Sequence, residues 1–354
     1  MPVNKVIDIH PRGWENDEAD EYLKLGLLDY CVAQVYMSFG IFFKLSDSDN
    51  RIAIVDTVHQ GLEVTLSQCR QLCGNLEAHP DGGLCFHKKK DSTVELHVQW
   101  LDGPDDVGQY PTFEDFEKGG FTAATLGNLD TWCVAPMTYG EKPEAEPRSN
   151  PKVSAFKLSF VRGGMVLIMH HHHYANDING WAGELHQLAE NCAAIWKSPD
   201  NPAYPPWDPA CLDYSAVSKP TPKTLVEGPQ SPPRHPDHKD AQWLLFHLSK
   251  SKAAEIKKLA TPADGSFWVS SWDAFTAYIW RILSKHRARL FNPDLSGKML
   301  WGEAADMRTR MHNPKVAERI QGNIVYVPMS TSNPTPQPTI GEVISEGPLS
   351  TLAR

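Results

Sequence analysis

The chain lacks most of what would direct it to a membrane, a nucleic acid or an oxidising compartment. No apolar run approaches the roughly 18 to 20 residues that a spanning helix requires. Met1 to Asp20 is polar and acidic, without the apolar stretch of a secretory leader. Positive charge is in deficit: 34 lysines and arginines against 43 aspartates and glutamates give a net charge of −9. That balance offers no general footprint for nucleic acid or an anionic lipid surface, though a local basic patch for a phosphorylated ligand remains compatible with it. The seven cysteines (Cys31, Cys69, Cys73, Cys85, Cys133, Cys192, Cys211) are odd in number and contain no C-x-x-C pair. Reduced, mostly buried thiols in a cytoplasmic protein are therefore expected rather than a disulfide framework. No internal repeat is present.

What is there suits a globular protein of two domains: 354 residues, 41% hydrophobic and 22% charged. Residues 1–196 read as mixed α/β. Val35 to Leu45 is an aromatic-rich strand, with Phe42 and Phe43 as strand core. Ile54 to Leu76 carries apolar residues at helical spacing, Cys69 and Cys73 being one turn of packing, and Asp81-Gly82-Gly83 marks a turn. Lys88-Lys89-Lys90 reads as a solvated turn. Val153–Val161, Arg162-Gly163-Gly164 and Met165–Met169 spell a hairpin whose second strand is apolar on both faces. A helix follows Asn179-Gly180, with Trp181, Leu185, Leu188, Cys192 and Ile195 on one face. Residues 197–239 are rich in proline and read as a crossover linker. Residues 240–354 resume regular structure: a strand from Gln242 to Leu248, a helix from Lys250 to Leu259, and a helix capped by Ser270-Ser271-Trp272-Asp273. The apolar face of that last helix is read as Ala274, Ala277, Tyr278, Ile282 and Leu283.

The feature that calls for chemistry is His170 to His173, set at the end of the buried strand just before a helix begins. A strand end fixes the backbone while the side chain looks into a cleft. A metal site is the weaker reading, because neighbouring strand residues alternate faces and only two of the four histidines can point the same way. Histidines satisfied in a core, without catalysis, are a second plain alternative. The third pairs His173 with Asp177 as H-x-x-x-D, in which an imidazole of ordinary pKa, about 6.5, takes a proton from an alcohol and returns it to a leaving thiolate.

His172-His173-Tyr174-Ala175-Asn176-Asp177-Ile178-Asn179-Gly180 resembles the signature of the BAHD-type acyltransferases, especially the fungal branch that includes the trichothecene acetyltransferases. Other segments resemble the family in the same order along nearly the whole chain: Leu25-Gly26-Leu27-Leu28-Asp29, Leu72-Cys73-Gly74-Asn75-Leu76, Phe246-His247-Leu248-Ser249, Ser270 to Ala274 continuing to Trp280-Arg281, and Asp306-Met307-Arg308-Thr309-Arg310 followed by Gly322-Asn323. The resemblance implies two α/β domains of the chloramphenicol-acetyltransferase type with a channel between them. It implies transfer of an acyl group, acetyl in the first instance, from acyl-CoA to a hydroxyl or amine of a small secondary metabolite, with His173 as general base and no metal. Asp177 would be structural, turned away from the site and gripped by the fork of Arg308, tying the first domain to the second. Ser270 and Ser271 would border the CoA site. A monomer without nucleic-acid or membrane partners is expected.

Two departures stand out. Ile178 occupies the place of the family glycine after the aspartate, where its bulk is expected to narrow the acceptor channel or shift the histidine. The family's D-F-G-W-G segment is absent, so the second domain is expected to be incomplete. A repurposed family member, binding or shaping a natural product without acylating it, is the alternative that these departures favour.

Overall fold

The computed structural model describes residues 3–135, 137, 145–213, 247–313, 315–327 and 337–353. The chain divides into two compact units, residues 1–232 with 306–325, and residues 233–305 with 326–354. This differs from the linear division expected from the sequence, because the segment holding Arg308 and Asn323 belongs to the first unit. Most of the proline-rich linker and residues 242–246 of the expected strand lie outside the described residues.

The first unit runs β1 (Val3–Ile9), β2 (Asp20–Lys24), β3 (Tyr36–Lys44), α1 (Arg51–Gln68), β4 (Asn75–Ala78), β5 (Leu84–Lys89), β6 (Val94–Trp100), α2 (Phe113–Lys118), α3 (Ala123–Leu126), β7 (Ser154–Val161), β8 (Gly164–His172) and α4 (Ile178–Lys197). A five-stranded sheet has the order β1-β6-β7-β8-β3, parallel only between β6 and β7, and a three-stranded antiparallel sheet has the order β2-β5-β4. The β7–β8 hairpin turns on Arg162 and Gly163, the latter at φ 75°, a backbone conformation that glycine adopts freely. β8 is buried along its whole length, as its unbroken apolar run foretells. Phe42 packs on Phe116, whereas Phe43 alternates to the outer face and is exposed.

The readings of the first helix and of Lys88 are also corrected. The first helix does not run to Leu76: α1 ends at Gln68, a 3-10 turn spans Arg70–Cys73, and Asn75–Ala78 pairs with β5. Leu76 satisfies either periodicity, and pairing with β5 decides it. Nor is Lys88 solvated. It alternates inward on β5, fully buried, and its ammonium meets Asp17 at 2.7 Å and Glu21 at 3.4 Å, carboxylates that Arg70 also pairs. A buried lysine needs such partners.

Helices α1 and α4 pack closely because Gly61 lies under Cys192, where a Cβ would come within 2.4 Å of its sulfur. Beside that apolar contact runs a polar seam in which Asn191 donates to Thr65 and Gln68, and Gln187 donates to Gln68.

In the second unit α5 (Lys250–Ala260) is followed by α6 (Ser271–Phe291) and α7 (Ile340–Ile344). The expected cap of α6 is present: Ser270 Oγ accepts from the Asp273 N–H, and the Asp273 carboxylate accepts from the Ser270 N–H. Its buried stripe is Ala274, Ala277, Trp280, Arg281 and Ser284, whereas Tyr278 and Leu283, assigned to the core from sequence, are exposed. Arg281 replaces them there by donating to the carbonyls of Val343 and Gly347.

Candidate active site

Pairing of β8 with β3 sets Ser38, Met37 and Tyr36 opposite His170, His171 and His172. Alternation then divides the four histidines between two faces. On one face His170 Nε2 accepts from the Val134 N–H at 3.1 Å, so its proton sits on Nδ1, 2.8 Å from Ser38 Oγ. His172 has the opposite tautomer: Nδ1 accepts from the Tyr174 N–H at 3.1 Å, and Nε2 donates to the Ala145 carbonyl at 2.9 Å. Burial drives the pKa of His170 down to about 3 and that of His172 down to about 4. Both rings are neutral and fully engaged.

On the other face His171 is also fully buried, with Nε2 3.2 Å from Glu184 Oε1 and its ring 4.9 Å from that of Trp181. His173, just past the end of β8, is only half-buried. Its N–H continues the ladder to the Val35 carbonyl at 2.9 Å. Its Nδ1 lies 3.2 Å from the Asn176 carbonyl oxygen, which can only accept, so Nδ1 carries the proton. Nε2 then bears the lone pair, without a protein partner among the described residues.

Asp177 caps α4 and does not reach His173. Its Oδ1 accepts from the Gly180 N–H at 2.7 Å, and Oδ2 accepts from Arg308 Nη1 and from the Ile324 N–H, each at 2.9 Å. The expected two-pronged grip of Arg308 on Asp177 is not what forms. One guanidinium nitrogen meets both Asp177 and Asp306, while Nε and Nη2 donate to the carbonyls of Ile320 and Gly322. Four acceptors converge on one planar donor set, all within the first unit.

The same returning segment brings in Asn323, whose amide donates to the carbonyls of His173 and Tyr174 and to Asp29 Oδ1 at 3.0 to 3.1 Å. Asp29 also accepts from the Gly26 N–H, and burial raises its carboxyl to about 6. Three sequence segments of the family resemblance thus meet at one strand end. Gly180 permits this, since a Cβ there would come within 2.6 Å of Asn176 Oδ1 and 2.7 Å of the Gly322 carbonyl. Ile178, by contrast, stands at the first residue of α4, 54% exposed and clear of these contacts.

Ser270 and Ser271 lie in the second unit at the start of α6, Ser270 occupied as its cap and Ser271 exposed. Burial pushes the thiols of Cys73 and Cys192 up to about 12 and that of Cys69 higher than an ordinary thiol, so none is a thiolate at neutral pH. Asn176 and Glu184 escaped the sequence reading. For Glu184 the available signal was a helical stripe, Glu184, Gln187 and Asn191, running beside the apolar face of α4.

Residues 138–351, more than half of the chain, match the "Transferase family", and residues 35–192 match the "Trichothecene 3-O-acetyltransferase-like N-terminal domain". The chain belongs to the transferase family of BAHD-type, CoA-dependent acyltransferases. Within this acyltransferase family it is 51% identical over 355 residues to acetyltransferase FGR3 of Gibberella zeae, covering 100% of this chain and 70% of that protein. It is 25% identical over 311 residues to the trichothecene 3-O-acetyltransferase TRI101 of Fusarium sporotrichioides, covering 82% of this chain and 64% of the relative. This chain therefore spans some two thirds of the length of such relatives. Among solved acyltransferase structures, F. graminearum TRI101 complexed with coenzyme A and T-2 mycotoxin superposes with a TM-score of 0.65 at 23% identity, over 94% of this chain and 73% of that one. Vinorine synthase does so with a TM-score of 0.66 at 18% identity, over 100% and 76%. At these identities the likeness establishes the fold, the mixed α/β acyltransferase fold.

Proposed function

We propose that this chain transfers an acyl group, acetyl in the first instance, from acyl-CoA to a hydroxyl or amine of a small secondary metabolite, with His173 as general base. The observation that carries this reading is the free lone pair of His173 Nε2 on a half-buried ring whose Nδ1 is committed to the Asn176 carbonyl. Nε2 takes the proton of the acceptor O–H or N–H as that atom attacks the thioester carbonyl. The tetrahedral intermediate collapses, the C–S bond breaks, and the imidazolium returns the proton to the departing CoA thiolate. The buried, protonated thiols of Cys69, Cys73 and Cys192 favour direct transfer in a ternary complex over an acyl-cysteine.

Asp177 and Arg308 serve as structural support for the turn that carries the base. Ser270 and Ser271 are assigned to the CoA-binding edge of the second unit, where Ser271 is exposed. We assign the chain to the cytoplasm as a monomer without nucleic-acid partners: all seven cysteines are unpaired, and the net charge is −9. Among the described residues no helix is long and apolar enough to cross a membrane.

The test is release of free thiol from acetyl-CoA by the purified chain, offered a panel of hydroxylated fungal metabolites. His173→Ala is expected to lower turnover about 10²- to 10⁴-fold, the usual worth of a general base, with CoA binding retained. Near-normal turnover in that variant would remove His173 from the mechanism. CoA binding without thiol release for any acceptor would support the repurposed, non-acylating alternative.

A further inference from the structure

The tautomer of His173 rests on one carbonyl, and that carbonyl belongs to a residue whose side chain is tied at both ends. Asn176 is buried; its Oδ1 accepts from the Gly322 N–H at 2.7 Å, and its Nδ2 donates to Glu184 Oε2 at 3.1 Å. These partners fix the orientation of the amide, since an N–H requires the oxygen end and a carboxylate requires the nitrogen end. Glu184 has no exposed surface, and its other oxygen lies 3.2 Å from His171 Nε2. Gly180 closes from the remaining side, near enough that a Cβ would strike Asn176 Oδ1. The Asn176 peptide therefore has little room to turn its carbonyl away from His173.

We propose that Asn176 and Glu184 are positioning residues which, through the Asn176 carbonyl, hold His173 in the Nδ1–H tautomer and leave Nε2 as the acceptor. The proposal rests on the reading of His173 as the base, and it assigns Glu184 the role of an acceptor oxygen rather than of a charge. Without Glu184 the Asn176 amide would lose the side-chain acceptor it has in a buried place, where an unmade hydrogen bond drives rearrangement.

The tautomer is read directly by long-range ¹H–¹⁵N NMR of the histidine-labelled full chain, with His173 assigned by its disappearance in His173→Gln. The wild type should show His173 as Nδ1–H. In Asn176→Ala and Glu184→Leu the Nε2–H form should become the major one. Turnover should fall about 10- to 100-fold through misorientation, with KM for acyl-CoA changed less than about twofold. Glu184→Gln keeps an acceptor for the Asn176 amide and should retain both the tautomer and turnover. An unchanged tautomer in the folded Asn176→Ala and Glu184→Leu chains overturns the proposal, as does loss of the tautomer in Glu184→Gln. Should the first two variants fail to fold, the wild-type spectrum and Glu184→Gln still decide, because an Nε2–H His173 in the wild type overturns the proposal by itself. The measurement is independent of catalysis: undiminished turnover in His173→Ala would remove the base reading and leave the tautomer result standing.

Discussion

Two faces of one strand carry the same side chain to opposite ends. On the face of His170 and His172, every ring nitrogen has a partner within the protein, and burial holds both rings neutral. On the face of His171 and His173, the second ring keeps one nitrogen engaged and leaves the other without a protein partner among the described residues. Residue type alone therefore predicts nothing about reactivity here. What separates the candidate base from the other three rings is exposure together with engagement. His170 and His172 are held by the Ser38 hydroxyl and the Val134, Tyr174 and Ala145 backbones. His171 is fully buried with neither ring nitrogen hydrogen-bonded among the described residues, and only His173 is half-buried, with Nδ1 on a single carbonyl.

The contrast breaks most completely if the turn carrying His173 is released. Asp177 and Arg308 are each 7% exposed as side chains, and together they bind the start of α4 to the returning segment 306–325. Removing one member of a buried pair strands the other charge, at a cost of about 3–5 kcal/mol. Asp177→Ala and Arg308→Ala should each lower the melting temperature and the turnover together, and the double variant should lose less than the sum. If turnover collapsed in Asp177→Ala at an unchanged melting temperature, and Arg308→Ala failed to copy it, Asp177 would have a direct chemical role.

The engaged face has its own signature in acid. The folded-state pKa values of His170 and His172 lie below the unfolded 6.5, so the unfolded chain binds more protons as pH falls from 6.5 toward about 4. Their contribution to stability is full above pH 6.5 and is lost on acidification. Asp29 acts in the opposite sense: its carboxyl is raised from 3.8 to about 6, so its contribution falls as pH rises through that interval. Two histidines against one aspartate leave these buried groups with a net loss of about 1.4 kcal/mol per pH unit near pH 5. His172→Gln, whose amide can still accept from Tyr174 and donate to Ala145, should flatten denaturant-derived stability between pH 6.5 and 4 by a similar slope. Parallel curves for wild type and variant would show that His172 does not titrate on unfolding.

The β7–β8 hairpin, the α6 cap and the H-x-x-x-D turn were legible in sequence because each is written locally, in a period of two, a turn glycine, or a serine three residues before an aspartate. The end of α1 was not legible, because Leu76 fits a helix and a strand equally and a partner strand decides. Lys88 and Glu184 were not legible for a related reason: a charged residue reads as surface until the carboxylates or amide that meet it are known, and those come from distant parts of the chain. The role of Asn176 depends likewise on Gly322, 146 positions away. Asp177 and Arg308 were named from family resemblance, and their geometry departs from it in that the guanidinium serves four acceptors rather than one carboxylate twice.

The smallest expected effect lies at Ile178, the residue whose bulk the sequence singled out. The close approach at this turn falls on Gly180, which has Asn176 and Gly322 against it, while Ile178 projects outward from the first position of α4. Its φ is not in the left-handed region, so nothing in the backbone calls for glycine there. Ile178→Gly should therefore cost only the difference in helix propensity, about 0.5 kcal/mol, softened further at a helix end. Turnover should stay within about twofold of wild type, and the His173 tautomer should be unchanged. A tenfold or larger drop in KM for the acceptor would instead mean that the isoleucine obstructs its approach. Gly180→Ala supplies the contrast: one methyl group there meets backbone and amide oxygens inside 3 Å, so stability and turnover should both fall where the larger change at Ile178 leaves them in place.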